Sequence, residues 1–291
     1  MYQAIADLIS QNLEQRVNIV GVQALAGGSI NQVARISLDN HQQLLLKTQS
    51  GPVAENTFQI EFNSLNLLAQ AGALRVPQPL VYGDDFLVLE YIEPGIKAPD
   101  WAENLGRQLA LLHLNTQRND FGFGCDNFLG TTSQPNSWQN SWLEFWREQR
   151  LGFQLQLYAQ QSGEDLLLKK GEQLMLELEN FLGKVQEPAV LLHGDLWSGN
   201  AMADLQGEPV IFDPACYYGH REAEFGMMRL FGGFGPLCEA AYQEIWPFGD
   251  GFEDRFRLYQ LYHELNHLNL FGSAYYPACL ASIEFLLQKA K

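Results

Sequence analysis

Basic residues are scarce in this chain: 18 Lys and Arg stand against 34 Asp and Glu, a formal charge of −16 over 291 residues. A surface of that sign repels phosphate backbones and anionic headgroups, so no nucleic acid and no membrane is expected as a general partner. A neutral or cationic small molecule suits the field better. Long apolar runs are also missing. None reaches the ~18 residues of a membrane span, and the candidates at residues 86–92 and 109–114 are short and interrupted. The start, Met1-Tyr2-Gln3-Ala4-Ile5-Ala6-Asp7, lacks the basic and apolar segments of a signal peptide. Cysteine is sparse: Cys125, Cys216, Cys238 and Cys279 form no C-x-x-C pair. That argues against a disulfide framework or zinc knuckle and for reduced thiols in the cytoplasm. Repeats and low-complexity tracts are absent. What remains is 46% hydrophobic and 18% charged, an ordinary globular chain long enough for one large domain or two lobes around a cleft.

Ile5, Leu8, Ile9 and Leu13 recur at helical spacing and predict a short opening helix. Strand-like runs follow at 18–25, 32–38 and 43–48, then a helix at 58–71 and two more strands at 76–82 and 86–91. This reads as a five-stranded antiparallel sheet with one inserted helix. Pro94-Gly95 breaks the pattern and divides the chain at residues 1–93 and 94–291. Beyond it the spacing is mainly helical: Trp101, Leu105, Leu109 and Leu112 mark one helix, and others fit 141–161, 164–182, 236–245, 252–270 and 278–289. Two short strands, 189–192 and 209–212, are expected to form a hairpin. The fold class is α+β, a bilobal arrangement around a cleft with a small antiparallel-sheet lobe and a larger, mainly helical lobe.

The densest polar signal is His193-Gly194-Asp195-Leu196-Trp197-Ser198-Gly199-Asn200, followed by Val210-Ile211-Phe212-Asp213-Pro214. Both follow apolar strands, so their polar residues fall at strand ends. Phosphoryl transfer asks for a carboxylate beside the attacking hydroxyl and Mg²⁺ to gather phosphate charge. Asp195 suits the first task, and Asn200 and Asp213 supply the hard oxygens Mg²⁺ prefers. The five-residue Asp-to-Asn spacing matches a kinase catalytic loop. The plainer alternative is a solvated turn.

Lys47 ends the run Leu44-Leu45-Leu46. Phe58, Glu61, Leu65 and Leu68 share one helix face, and a carboxylate on an apolar stripe needs a partner. Lys47 is the candidate, oriented by Glu61 toward ATP phosphates; a Glu61 turned to solvent is the alternative. Gly27-Gly28-Ser29-Ile30-Asn31 is a candidate phosphate loop, since glycines let backbone N–H groups approach phosphate oxygens. A simple turn explains it equally well. Glu90-Tyr91-Ile92 leaves the last strand with backbone groups able to read an adenine edge, or serves as a plain linker. His263-Glu264-Leu265-Asn266-His267 matches H-E-x-x-H, but a third zinc ligand is wanting and the zinc reading is set aside.

Asp126-Asn127-Phe128-Leu129-Gly130, Gln134, Asn136, Trp138, Trp142, Phe145 and Arg150-Leu151 resemble the hallmark block of the fructosamine kinase (ketosamine-3-kinase) family. The motifs 193–200, Asp213-Pro214-Ala215, 218–222, 230–234 and 266–272 extend the likeness over about residues 20–285. The resemblance implies a kinase related to aminoglycoside and choline kinases, using ATP and Mg²⁺ to phosphorylate the 3-hydroxyl of ketosamines on free amines or glycated protein lysines. The product decomposes to free the amine, a deglycation. Asp195 would accept the proton, Asn200 and Asp213 would hold Mg²⁺, and Lys47 with Glu61 would hold ATP. Trp197, His220, Glu222 and His267 would shape the sugar pocket. Some relatives carry a cysteine in the phosphate loop; here Ser29 stands there, so a redox-linked dimer is not expected and the chain would be a monomer or weak homodimer. Two alternatives stay open: another kinase of this fold acting on an aminoglycoside, choline or homoserine, and a catalytically dead nucleotide-binding protein.

Overall fold

Side-chain alternation organises the first third of the molecule. The structure, a computed structural model, describes residues 1–25, 32–49, 56–163 and 165–290. Helix α1 (Tyr2–Asn12) precedes β1 (Ile19–Ala24), β2 (Gln32–Leu38) and β3 (Gln43–Thr48). Helix α2 (Thr57–Gln70), β4 (Pro79–Tyr82) and β5 (Phe86–Glu90) follow. The five strands form one antiparallel sheet in the order β1-β2-β3-β5-β4. Period two gives β3 and β5 two faces. Leu44, Leu46, Phe86 and Val88 pack with Ile5 and Ile9 of α1, while Leu87 and Leu89 pack with Phe58, Leu65 and Leu68 of α2. Each such fully buried side chain contributes roughly 1.5–3 kcal/mol. Lys47 pairs with Leu87 across the strands, and so stands on the α2 face.

After Glu90 the chain runs extended through Pro94-Gly95 into α3 (Trp101–Asn115). Then come the hairpin β6 (Asn127–Leu129) and β7 (Thr132–Gln134), α4 (Trp142–Trp146), a π-helical turn at Arg147–Leu151, and α5 (Gly152–Ser162). Helices α6 (Leu166–Leu176) and α7 (Leu178–Leu182) lead to the short strands β8 (Val190–Leu192), β9 (Ala201–Ala203), β10 (Pro209–Ile211) and β11 (Tyr217–Gly219). Helices α8 (Glu224–Leu230), α9 (Pro236–Ile245), α10 (Phe252–Phe271) and α11 (Tyr276–Lys289) complete the fold. Trp101, Leu105, Leu109 and Leu112 of α3 are all buried, as their spacing requires. Helix α10 is the hub: Phe256, Leu258, Tyr259, Leu261, Tyr262, Leu265 and Leu268 are buried around it. No helix among the described residues is long and apolar enough to cross a membrane.

Backbone hydrogen bonds fix the connector and join the sheet part to the helical part. Gly95 N–H donates to the Ala203 carbonyl at 2.8 Å, and a Cβ at Gly95 would stand 1.9 Å from the Asp204 carbonyl oxygen, so only glycine fits. Ile211 N–H donates to the Arg75 carbonyl at 3.0 Å, joining β10 to the segment before β4.

The α+β expectation holds, with local corrections. Strands 189–192 and 209–212 do not form a hairpin with each other: β8 pairs with β11 and β10 with β9. Three-residue strands carry too little pattern to reveal those partners. The helix expected at 141–161 contains the π-turn, and that at 164–182 breaks near Glu177. Helix α8 has no counterpart among the expected helices because Glu224, Phe225, Gly226, Met227 and Met228 are all buried, which leaves no amphipathic period.

Candidate active site

Strand β8 delivers the chain into residues 193–200, and hydrogen bonds hold this loop from three sides. Gly194 adopts φ +81°, and a Cβ there would lie 2.1 Å from the Ala215 carbonyl oxygen. The Glu224 carboxylate, fully buried, accepts the N–H groups of His193 at 2.6 Å and Gly194 at 3.0 Å. The Asp195 N–H donates to His193 Nδ1 at 3.2 Å. The proton of His193 is therefore on Nε2, which donates to the Phe212 carbonyl at 2.9 Å. Burial lowers the pKa of His193 and keeps it neutral for this double duty. Asn200 Nδ2 donates to the Asp195 carbonyl at 2.8 Å and to Asp195 Oδ2 at 3.1 Å. Phe212 N–H returns to the Asn200 carbonyl at 3.0 Å. The loop bearing Asp195 and the strand end bearing Asp213 thus form one hydrogen-bonded unit.

Lys47 reaches this unit from the sheet. Its buried ammonium bonds to the carboxylates of both Glu61 and Asp213. Burial disfavours the ammonium, yet the two carboxylates overrule it and push the pKa of Lys47 upward. Asp213 has φ +58°, a left-handed conformation uncommon outside glycine, and its side chain is 42% exposed, open to a ligand. Asp195 has its pKa pushed up to about 8, first by burial, then by Asp213 and Glu224 and against the Asn200 bond. Such a carboxyl is matched to accepting a proton near neutrality. Asn200 spends its Nδ2 on Asp195, which leaves Oδ1 as an acceptor, and its backbone carbonyl takes the N–H of Phe212, the residue before Asp213. Asn200 Oδ1 and the Asp213 carboxylate suit Mg²⁺, which takes one or two protein ligands and completes its shell with phosphates and water. Among the described residues no cluster of three or more His, Cys, Asp or Glu forms a metal site.

The remaining expectations divide. Gly27, Gly28, Ser29, Ile30 and Asn31 lie outside the described residues. Glu90 turns its carboxylate to Arg75 at 2.7 Å and to the Gln78 N–H at 3.2 Å; its own N–H donates to the Gln78 carbonyl at 2.8 Å. Tyr91 and Ile92 continue the connector, with Arg35 over the Tyr91 ring. Trp197 and His267 meet the same partner: Phe231 lies 5.7 Å from the Trp197 ring and 5.0 Å from His267. His267 Nδ1 donates to the His263 carbonyl, which leaves Nε2 as the acceptor nitrogen. His220 and Glu222 are corrected. His220 is 1% exposed and bonded to the Tyr259 hydroxyl, with Glu187 at 3.5 Å. Glu222 is fully buried and both its oxygens are taken by Arg255. A closed ion pair and a core histidine leave no group for a sugar. In the H-E-x-x-H stretch of α10, Glu264 is bonded to Ser282 of α11.

Sequence reasoning misses Glu224. Its signal is a lone carboxylate opening the apolar run Phe225-Gly226-Met227-Met228, which demands buried hydrogen-bond donors. Phe231 stands in the sequence only as part of a motif. A surface groove of about 490 Å³ lies at α10 and α11, lined by residues such as Phe256 and Phe285, and one of about 540 Å³ lies between α6 and α11, lined by residues such as Lys170 and Leu287; neither contains a member of this set.

Known proteins resemble the chain over nearly its whole length. The family model described as "Fructosamine kinase" matches residues 1–289. The chain is 42% identical over 280 residues to a chloroplastic protein-ribulosamine 3-kinase of Oryza sativa subsp. japonica, covering 94% of this chain and 80% of that one. It is 38% identical to a probable ketoamine kinase of Synechocystis sp., covering 94% and 92%. Among solved structures, a putative fructosamine-3-kinase from Thermobifida fusca superposes with a TM-score of 0.88 at 28% identity, covering 98% and 99%. An aminoglycoside phosphotransferase superposes at 0.66 with 14% identity over 99% of each chain, a likeness of fold and so of the kinase-like class. The chain belongs to the fructosamine kinase family.

Proposed function

We propose that the protein is an ATP-dependent kinase that phosphorylates the 3-hydroxyl of ketosamines, sugar adducts of amines or protein lysines, and so begins their deglycation. One observation carries the reading: Lys47 and Glu61 from the sheet part meet Asp213, whose strand end is hydrogen-bonded to the loop of Asp195 and Asn200. Residues 1–93 would form the nucleotide lobe and 94–291 the catalytic and substrate lobe. Lys47, held by Glu61, neutralises ATP phosphate oxygens, and the 90–92 connector lies where an adenine edge would be read. Asn200 and Asp213 would hold Mg²⁺, which when bound gathers the charge of the phosphates.

The Asp195 carboxylate takes the proton of the attacking hydroxyl as its oxygen bonds to the γ-phosphorus. The bond from that phosphorus to the bridging oxygen of ADP breaks, and the electron pair leaves on ADP. Asn200 orients Asp195 through Nδ2. Trp197 and His267, joined by Phe231, offer ring faces to the sugar C–H surface and one imidazole acceptor to its hydroxyls. The 3-phosphoketosamine then decomposes and releases the amine. The four unpaired cysteines, three of them buried, suit a cytoplasmic monomer or weak homodimer. A panel of ribulosyl-lysine, fructosyl-lysine, choline, homoserine and an aminoglycoside, each with Mg²⁺ and ATP, tests the reading. Transfer to a ketosamine is the expected result. Transfer to choline or an aminoglycoside alone would replace the substrate class, and transfer to none would favour a dead nucleotide binder.

A further inference from the structure

The hallmark block read from the sequence contains a buried cation whose purpose the reaction does not state. Arg150 is fully buried, and no carboxylate pairs with it among the described residues. Its guanidinium stacks 4.0 Å from the centre of the Tyr217 ring and 4.5 Å from that of Phe145. It donates to the carbonyls of Pro135 at 2.6 Å and Gln149 at 2.9 Å, and to Asn136 Oδ1 at 2.7 Å. The residue lies in the π-turn Arg147–Leu151, a local irregularity of the kind that re-aims a side chain at functional sites.

From Arg150 a chain of amides runs to the segment after Asp213. A guanidinium only donates, so Asn136 must present Oδ1 to it and turn Nδ2 away. Asn136 Nδ2 donates to Asn127 Oδ1 at 2.9 Å, so Asn127 in turn must use Nδ2 outward. Asn127 Nδ2 donates to the Cys216 carbonyl at 2.7 Å. Gln134 joins in parallel: its Nε2 donates to Asn127 Oδ1 at 2.7 Å and to the Ala215 carbonyl at 3.3 Å, while Tyr262 Oη donates to its Oε1 at 2.8 Å. The Asn136 and Asn127 amides are therefore oriented in one sense, from Arg150 to the Cys216 carbonyl, while Gln134, set by Tyr262, carries a parallel branch to the Ala215 carbonyl. Those acceptors belong to the residues two and three positions beyond Asp213, whose left-handed φ persists only if its surroundings over-determine it. His193 and Asn200 secure the preceding side at Phe212. The amide relay secures the following side.

We propose that Arg150 is a positioning residue for the reaction: through Asn136 and Asn127 it holds the Cys216 carbonyl, in parallel with the Tyr262–Gln134 branch at Ala215, and so keeps the Asp213 carboxylate in its metal-holding posture. The proposal rests on the reading of Asp213 as a Mg²⁺ ligand. Supporting partners of a metal ligand typically carry ~10–100-fold in metal affinity, and Arg150→Met, which leaves Asn136 Oδ1 without a donor, should lose that much. The measurement is calorimetric titration of Mg²⁺ into the full-length protein saturated with ADP, alongside metal-free ADP binding, kcat and KM. Expected are weaker Mg²⁺ binding, a lower kcat recovered in part by raised Mg²⁺, and unchanged metal-free ADP affinity and ketosamine KM. Arg150→Lys, which keeps a charged donor, should recover part of the loss. A variant that only melts earlier, with Mg²⁺ affinity within about two-fold of the parent, overturns the proposal.

Should Arg150→Met fail to fold, Tyr262→Phe decides, since it removes one donor to Gln134 and keeps the ring. A several-fold loss of Mg²⁺ affinity supports the relay and parent-like affinity overturns it. Asp213→Asn separates the two readings. If Asp213→Asn binds Mg²⁺ like the parent, the metal assignment itself falls, and this proposal with it. If Asp213→Asn loses Mg²⁺ while the Arg150 and Tyr262 variants keep it, the relay alone is rejected.

Discussion

Glu224→Gln changes one atom in a place where shape is preserved and hydrogen-bond polarity is not. The carboxylate is 1% exposed and accepts two backbone N–H groups, from His193 at 2.6 Å and Gly194 at 3.0 Å. A glutamine offers one acceptor and sets its NH₂ against the other N–H. One charge-assisted bond of about 1.5–3 kcal/mol is lost and one buried donor is left unpaired at about 1–3 kcal/mol, together roughly 2.5–6 kcal/mol. At about 2 °C per kcal/mol for a chain of this size, the melting temperature should fall by roughly 5–12 °C. The backbone must move to relieve the contact, and Asp195 is the next residue. A displacement near 1 Å at a reacting group costs about 100-fold in rate, so kcat toward a ketosamine should drop by that order. ATP affinity should persist, because the Lys47–Glu61 pair stands on the sheet and its helix. Differential scanning calorimetry, steady-state kinetics and ATP titration on the same preparation test this. A kcat within about three-fold of the parent, with melting unchanged within about 2 °C, would refute the claim that Glu224 holds the catalytic loop.

Asp195→Ala should lower turnover by about 100-fold or more with ATP binding intact; rates within a few-fold of the parent in a stopped assay would remove its role as proton acceptor. Lys47→Met leaves the Glu61 and Asp213 carboxylates without their shared cation. Water screens the half-open Asp213, so the stability loss should be about 1–3 kcal/mol by denaturant titration. The same variant should weaken ATP binding, and an unchanged ATP affinity would contradict its assignment. His263 is buried, and its pKa is driven down to about 3, first by burial and then by His267 and Arg150. Its ordinary value is 6.5, so the unfolded chain takes up a proton that the folded chain refuses. Stability from this group is complete above pH 6.5 and drains away as pH falls toward 3. The urea midpoint should decline through that window, and less steeply in His263→Leu. Equal slopes would show that His263 is not the group responsible; His193 and His113, also lowered by burial, share the direction.

The continuous apolar runs of β3 and β5 mark strands packed on both faces. The chain alone also names the inward faces of α2 and α3 through their 3.6-period stripes, because water selects them locally. It also determined that Glu61 needed a cation, since a carboxylate on an apolar stripe cannot be left alone, and that Asp195, Asn200 and Asp213 lie at strand ends. What depends on partners distant in the chain came only with the folded arrangement. Three-residue strands have no pattern of their own, so β8 had to be seen beside β11. Glu224 acquires meaning only when α8 meets the amides of residues 193–194, 30 or so positions earlier. His220 and Glu222 read as sugar ligands from their motif, but the fold spends them on Tyr259 and Arg255. Arg150 and its amides read as a family signature, and three-dimensional hydrogen bonding turns them into a support for the backbone beyond Asp213. Local burial is written residue by residue. The pairing of buried polar groups is settled only when the whole chain has closed around them.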